Sequence, residues 1–163
     1  MLAHAKIIRE EMANSIKAES RISIKASPEE VFKYICTLKY HYLWNPALRT
    51  LSTEDKLSQG MSYSTESVYL GDIKVITRNK VTKLVPNQQI VLKNEFGVIQ
   101  FETYFTLHRE GDRTIVSSTV DMLTTPKSFG LTLPVLKRLA NKELQSDLKF
   151  LKAAVETNLA SNA

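Results

Sequence analysis

The chain has 163 residues, 43% of them hydrophobic and 24% charged, with a formal net charge of +5. That length suits one domain spanning residues 1–163, since most domains hold on the order of 100 to 150 residues, and no segment approaches the roughly 18 uninterrupted apolar residues of a membrane helix. The Lys and Arg residues are spread without a dense basic run, which argues against a nucleic-acid partner, and the single cysteine, Cys36, excludes an internal disulfide and fits a reducing, cytoplasmic setting.

Residues 1–15 read as an N-terminal extension with the pattern of a short helix, Ile7, Ile8 and Met12 lying on one side. Charges at Lys6, Arg9, Glu10 and Glu11 break up any export-signal core. From Ile16 the period changes to two: Ile16, Ala18, Ser20, Ile22 and Ile24 alternate with charged and polar residues, as in a strand with one buried face. Ser27-Pro28-Glu29-Glu30 then starts a helix, with Ser27 as N-cap, Pro28 in the first helical position and Glu30 closing a capping box. Val31, Ile35 and Leu38 continue it, and Cys36 reads as a small buried residue. Tyr40-His41-Tyr42-Leu43-Trp44-Asn45-Pro46 is the densest aromatic cluster, and Pro46 ends a second short helix by biasing Asn45 away from the helical region. Trp44 belongs where the small helices meet the sheet, as plain core or as the wall of a pocket. His41, beside Trp44, is expected on an exposed helix face, with the mouth of such a pocket as the alternative.

From Leu48 to Leu123 the chain reads as strands cut by turn signals at Ser58-Gln59-Gly60, Gly71-Asp72, Pro86-Asn87, Phe96-Gly97 and Glu110-Gly111-Asp112. Such short connections imply an antiparallel meander. After Gly71, Ile73, Val75, Thr77, Asn79 and Val81 share one face, while Lys74, Ile76, Arg78, Lys80 and Thr82 share the other, which must face water. After Gly97, Ile99, Phe101, Thr103, Phe105 and Leu107 face inward, and in the last strand Val116, Ser118, Val120 and Met122 do so. Thr124-Thr125-Pro126 ends the sheet. From Leu133 to Asn158, with Pro134 in the first turn, Leu136, Ala140, Leu144, Leu148, Leu151 and Val155 recur at helical spacing, leaving lysines between them. So long an amphipathic helix needs upstream cover, which gives an α+β protein in which the sheet covers it.

Three local patterns in this order carry a resemblance: Ser27-Pro28-Glu29-Glu30-Val31-Phe32, then Trp44-Asn45-Pro46, then Leu148-Lys149-Phe150-Leu151-Lys152 before Glu156. From about Ile16 to Thr157 the chain resembles the START-like, Bet v 1-like (SRPBCC) superfamily, in particular its polyketide cyclase/dehydrase and lipid-transport branch. The resemblance implies a helix-grip, a curved antiparallel sheet wrapped around the C-terminal helix with a cavity between them. Members bind lipids, sterols, polyketides, plant hormones or quinones there, and a minority catalyse cyclisation or dehydration. The glycine-rich loop of the plant members is not evident among five dispersed glycines. The N-terminal half of the last helix, around Leu136 and Ala140, is then one wall of a pocket, and Leu144 to Val155 serve mainly as its anchor.

Common catalytic signatures are missing. His4, His41 and His108 lack a metal-ligand spacing, and there is no nucleophile elbow, phosphate loop or dinucleotide fingerprint, so no cofactor, metal or catalytic residue is assigned. More informative are Thr77, Asn79, Thr103 and Ser118 on otherwise apolar strand faces, joined by Tyr63 and Tyr69 if their side faces inward. Burying such groups without a partner costs on the order of 1–3 kcal/mol, so either they orient an apolar ligand or they satisfy one another or bind water. The expected occupant is a small hydrophobic molecule walled by Trp44, Tyr63, Phe101, Phe105, Leu136 and Ala140, with polar contacts from Thr77 and Asn79. One alternative is an enzyme of the cyclase/dehydrase type using Tyr63, Asn79 or His41. Another is a partner-binding module that meets an acidic protein, membrane or RNA through Lys74, Arg78 and Lys80.

Overall fold

In the computed structural model, residues 3, 15–69, 71–96, 100–123 and 132–162 are described. The helix expected before Ser15, His4, Gly97, Ile99 and the strand stop at Thr124-Thr125-Pro126 lie outside them. β1 is Ser15–Ile24, with Ile16, Ala18 and Ile24 buried as the alternation requires. Pro28–Cys36 forms α1. The Glu30 amide donates to Ser27 Oγ at 3.3 Å and the Ser27 amide to Glu30 Oε2 at 3.1 Å, so the capping box satisfies two donors that the helix start leaves open. A 3-10 turn, Leu38–Tyr40, leads into α2, His41–Trp44, which stops where Asn45 turns extended before Pro46.

Six strands follow: β2 Leu48–Leu51, β3 Ser62–Tyr69, β4 Ile73–Val85, β5 Gln89–Phe96, β6 Gln100–Glu110 and β7 Arg113–Leu123. All neighbours pair antiparallel in one sheet of order β1-β7-β6-β5-β4-β3-β2. The expected meander runs from β2 to β7, and β1 adds to it beside the last strand. β4 is 13 residues long, with register shifts between Arg78 and Asn79 and between Val81 and Lys83. Such irregularities bend a strand and raise its twist, and the sheet curls into a half-barrel. Positive φ at Gly71 (89°) and Asn87 (62°) shapes the turns from β3 to β4 and from β4 to β5.

α3, Leu133–Ser161, lies in the hollow of the sheet, with Pro134 in its first turn. Its C-terminal half is the anchor. Leu148, Leu151 and Val155 are fully buried in one cluster with Ile24, Val31, Phe32 and Ile35, each such burial stabilising the fold by roughly 1.5–3 kcal/mol. Polar ties set the helix against β1 and the residue after it: Asn141 Oδ1 accepts from the Glu19 amide at 3.2 Å, Lys152 Nζ donates to the Ser23 carbonyl at 2.8 Å, and Glu156 Oε1 accepts from the Lys25 amide at 2.8 Å. This is the α+β helix-grip. Among the described residues, no helix is long and apolar enough to cross a membrane.

Candidate functional site

Between the N-terminal half of α3 and the concave sheet face, close packing gives way to a cavity of about 430 Å³. The strand sequences explain why the helix does not seat there. The inner face of β3 is Tyr63, Thr65, Ser67 and Tyr69, set roughly 6.8 Å apart along the strand, so it offers hydroxyl groups where a helix stripe needs apolar partners. The opposite wall is apolar: Phe101 and Phe105 of β6, Val120 and Met122 of β7, and Leu92 of β5, interrupted by Thr103. Leu136, Leu139, Ala140 and Leu144 of α3 form the roof, with Glu143 and Asp147 at its edge, and Lys74 and Ile76 lie at the rim.

Several polar groups are satisfied locally. Asn79 Nδ2 donates to Thr77 Oγ1 at 3.0 Å, and Thr77 Oγ1 lies 2.7 Å from Thr65 Oγ1 across the β3–β4 pair. Trp44 is buried, its indole N–H donating to the Tyr34 carbonyl at 3.1 Å and its ring meeting Phe105 edge-on at 5.9 Å. It is therefore both core and cavity wall. Other groups are not satisfied. Asp147 Oδ1 is buried without a hydrogen-bond partner among the described residues. Burial, reinforced by the nearby Glu143 carboxylate, pushes the Asp147 carboxyl up to about 8. Burial also raises the Tyr63 phenol, and it pushes Tyr69 up to about 12 with help from Asp147 and Glu143.

Of the residues singled out from the sequence, Trp44, Tyr63, Thr77, Asn79, Phe101, Thr103, Phe105, Leu136 and Ala140 line this one cavity, and Tyr69 joins them. Ser118 does not. It is 1% exposed, between Ser20 and Phe105 in the sheet, with no partner for its Oγ among the described residues. His41 does not face solvent; it is buried and lines the cavity beside Trp44, and its Nε2–H donates to the Ile35 carbonyl at 2.7 Å. Desolvation lowers it to about 4, so the ring is neutral at ordinary pH. The division of the long helix also shifts, since Leu144 and Asp147 line the cavity and the anchor starts at Leu148.

Sequence reasoning misses Glu143 and Asp147. The signal is position: Asp147 stands three residues after Leu144 and four before Leu151, on the apolar stripe itself. Cys36 is fully buried, and burial pushes its thiol up to about 12. His41 and His108 lie apart, the second exposed on β6. On the outer sheet face, Lys74 pairs with Glu66 at 3.2 Å, while Arg78 and Lys80 share Glu95 at 3.5 and 3.9 Å. Much of the basic character expected there is thereby offset.

The sequence profile of the family described as "Polyketide cyclase / dehydrase and lipid transport" matches residues 15–156. No curated protein sequence matches the chain. Among solved structures, the protein TTHA0849 of Thermus thermophilus is 20% identical with a TM-score of 0.72, covering 90% of this chain and 99% of its own. A START superfamily protein of Mycobacterium smegmatis is 19% identical with a TM-score of 0.72, covering 86% and 97%. The Zhui aromatase/cyclase of Streptomyces sp. R1128 is 16% identical with a TM-score of 0.70, covering 89% and 96%. At these identities the likeness is one of fold.

Proposed function

We propose, for a chain that belongs to the polyketide cyclase/dehydrase and lipid transport family, that it binds and carries a small hydrophobic molecule in the cavity between sheet and C-terminal helix. The observation that carries this reading is the cavity itself: about 430 Å³, with largely apolar walls and a few polar groups converging on it. Small-molecule sites typically combine such a volume, roughly 300–1,000 Å³, with this kind of lining. Trp44, Tyr63, Phe101, Phe105, Leu136 and Ala140 are the apolar walls in this reading, and Thr77, Asn79 and Thr103 the polar contacts. The reading involves no nucleic acid, metal or cofactor, and the buried thiol of Cys36 suits a reducing, cytoplasmic setting. Native mass spectrometry of the purified protein tests it. An apolar compound should be retained or loaded one to one, and failure of every apolar compound to load overturns the reading.

A second reading is favoured by one specific observation. Asp147, with its carboxyl raised to about 8, lies in the cavity lining where proton transfer to a bound molecule needs a group that titrates near neutrality. In an enzyme of the cyclase/dehydrase type, this carboxyl would exchange protons and Asn79 or Tyr63 would position the substrate. Turnover of an aromatic polyketide precursor that is lost in Asp147→Asn, with binding kept, would select this reading over carriage alone.

A further inference from the structure

The unsatisfied groups of the cavity narrow the chemistry of its ligand, an inference that rests on the ligand-binding reading above. The row Thr65, Thr77 and Asn79 is hydrogen-bonded within itself and carries no charge. Glu143 and Asp147 differ. They stand one helical turn apart on α3, a spacing that puts both carboxyls on one side of the helix, and both line the cavity. Neither forms an ion pair among the described residues, and Asp147 Oδ1 is buried without a hydrogen-bond partner there. A second group also points to an occupant. Tyr63 is 5% exposed and lines the same cavity, yet its hydroxyl makes no hydrogen bond to a described residue.

Charge decides what can sit beside the pair. The bases lining the cavity among the described residues are His41 and Lys74. His41 is neutral and its Nε2–H is engaged by the Ile35 carbonyl. Lys74 is at the rim, with its Nζ held by Glu66 at 3.2 Å. A fatty acid or other anion entering this site would therefore add negative charge to two carboxyls in an apolar setting and find no free cation among the described residues. An ammonium group would meet the Glu143 carboxylate and an Asp147 carboxyl that can ionise to receive it, and charge-assisted hydrogen bonds of that kind are the strong ones.

We propose that the cavity takes an amphiphilic amine, its ammonium held between Glu143 and Asp147 and its apolar body lying against Phe101, Phe105, Leu136 and Ala140. The titratable groups that act on Asp147 are Glu143 on its own helix and Tyr69 on β3, while His41 on α2 and Lys74 on β4 line other parts of the same cavity. Since burial holds Asp147 protonated in the free protein near neutral pH, an arriving ammonium favours its ionised form, and the carboxyl releases its proton to solvent.

Isothermal titration of the full chain with decylammonium, decan-1-ol and decanoate near neutral pH tests the proposal, because the three probes share one apolar body and differ in head group. Decylammonium should bind roughly tenfold more tightly than decanol, and decanoate most weakly. The heat of decylammonium binding should vary with the ionisation enthalpy of the buffer, reporting proton release, and that of decanol should not. In the double variant Glu143→Gln, Asp147→Asn the ratio of ammonium to decanol affinity should fall close to one. The wild-type preference and proton release stand as tests even if that variant does not fold. Decanol or decanoate binding as tightly as decylammonium, or a preference that survives in the folded double variant, overturns the proposal while leaving the cavity a site for apolar molecules. Binding of none of the three probes overturns both.

Discussion

Replacing Asp147 with asparagine removes a carboxyl that burial and the neighbouring Glu143 raise from 3.8 to about 8. In the unfolded chain that carboxyl ionises freely near 3.8, so between that pH and about 8 the folded protein binds more protons than the unfolded one. The contribution of Asp147 to stability is then fully present below its unfolded pKa and is lost as pH rises through the folded value. Each pH unit in that window corresponds to about 1.4 kcal/mol. Ionisation of this one group should therefore cost the wild type roughly 4 kcal/mol at pH 7 relative to acid conditions, and roughly 6 kcal/mol once the pH exceeds about 8. The amide of the Asp147→Asn variant cannot ionise. Urea unfolding of both proteins across this pH range, with parallel denaturant slopes, should show the variant gaining on the wild type steadily as pH rises. A constant offset from the new amide is acceptable, because the pH slope is the readout. A stability difference that stays flat from about pH 4 to 8 would refute the claim that Asp147 is buried as an acid.

Ser27→Ala removes the capping box of α1 and should lower stability by about 1 kcal/mol, read as a shift in the urea midpoint. Trp44→Phe leaves the Tyr34 carbonyl without its indole donor and thins the cavity floor, which should cost about 2–4 kcal/mol in the same assay. Ala140→Phe places a ring in the cavity roof and should weaken decanol binding by roughly tenfold or more, with little loss of stability, since it fills space the fold leaves open. Cys36, with its thiol raised to about 12 and no exposure, should resist a thiol-disulfide reagent in the folded protein at mildly alkaline pH and react promptly in urea.

The fold was readable because its elements carry local signals. The alternation from Ile73 to Val81 places each side chain of β4 on the face it occupies in the structure, and Ser27, Pro28 and Glu30 mark the start of α1. Leu148, Leu151 and Val155 pick out the buried stripe of α3. The candidate site was readable in part, as nine of the ten residues chosen for it line the cavity. Failures occurred where direction depends on a neighbouring element. His41 has the pattern of a surface residue until the 3-10 turn folds its ring beneath Ile35. Ser118 has an inward register like Thr103, but is buried outside the cavity lining.

By itself the sequence determined the order of the strands and helices, the inward faces of β1, β4, β6 and β7 and the need for a sheet to cover the last helix. Each of these follows from the spacing of apolar side chains and the turn residues between them, which act within a few positions of the chain. Tertiary structure alone decided that β1 closes on β7, roughly a hundred residues away. It also decided that polar β3 lies across from α3, so that packing fails there and a cavity remains. Whether Asp147 is an ordinary carboxylate or a buried acid depends on how much water that cavity wall excludes and on the Glu143 charge beside it. Desolvation is set by the surroundings assembled from the whole chain, and no local pattern encodes it.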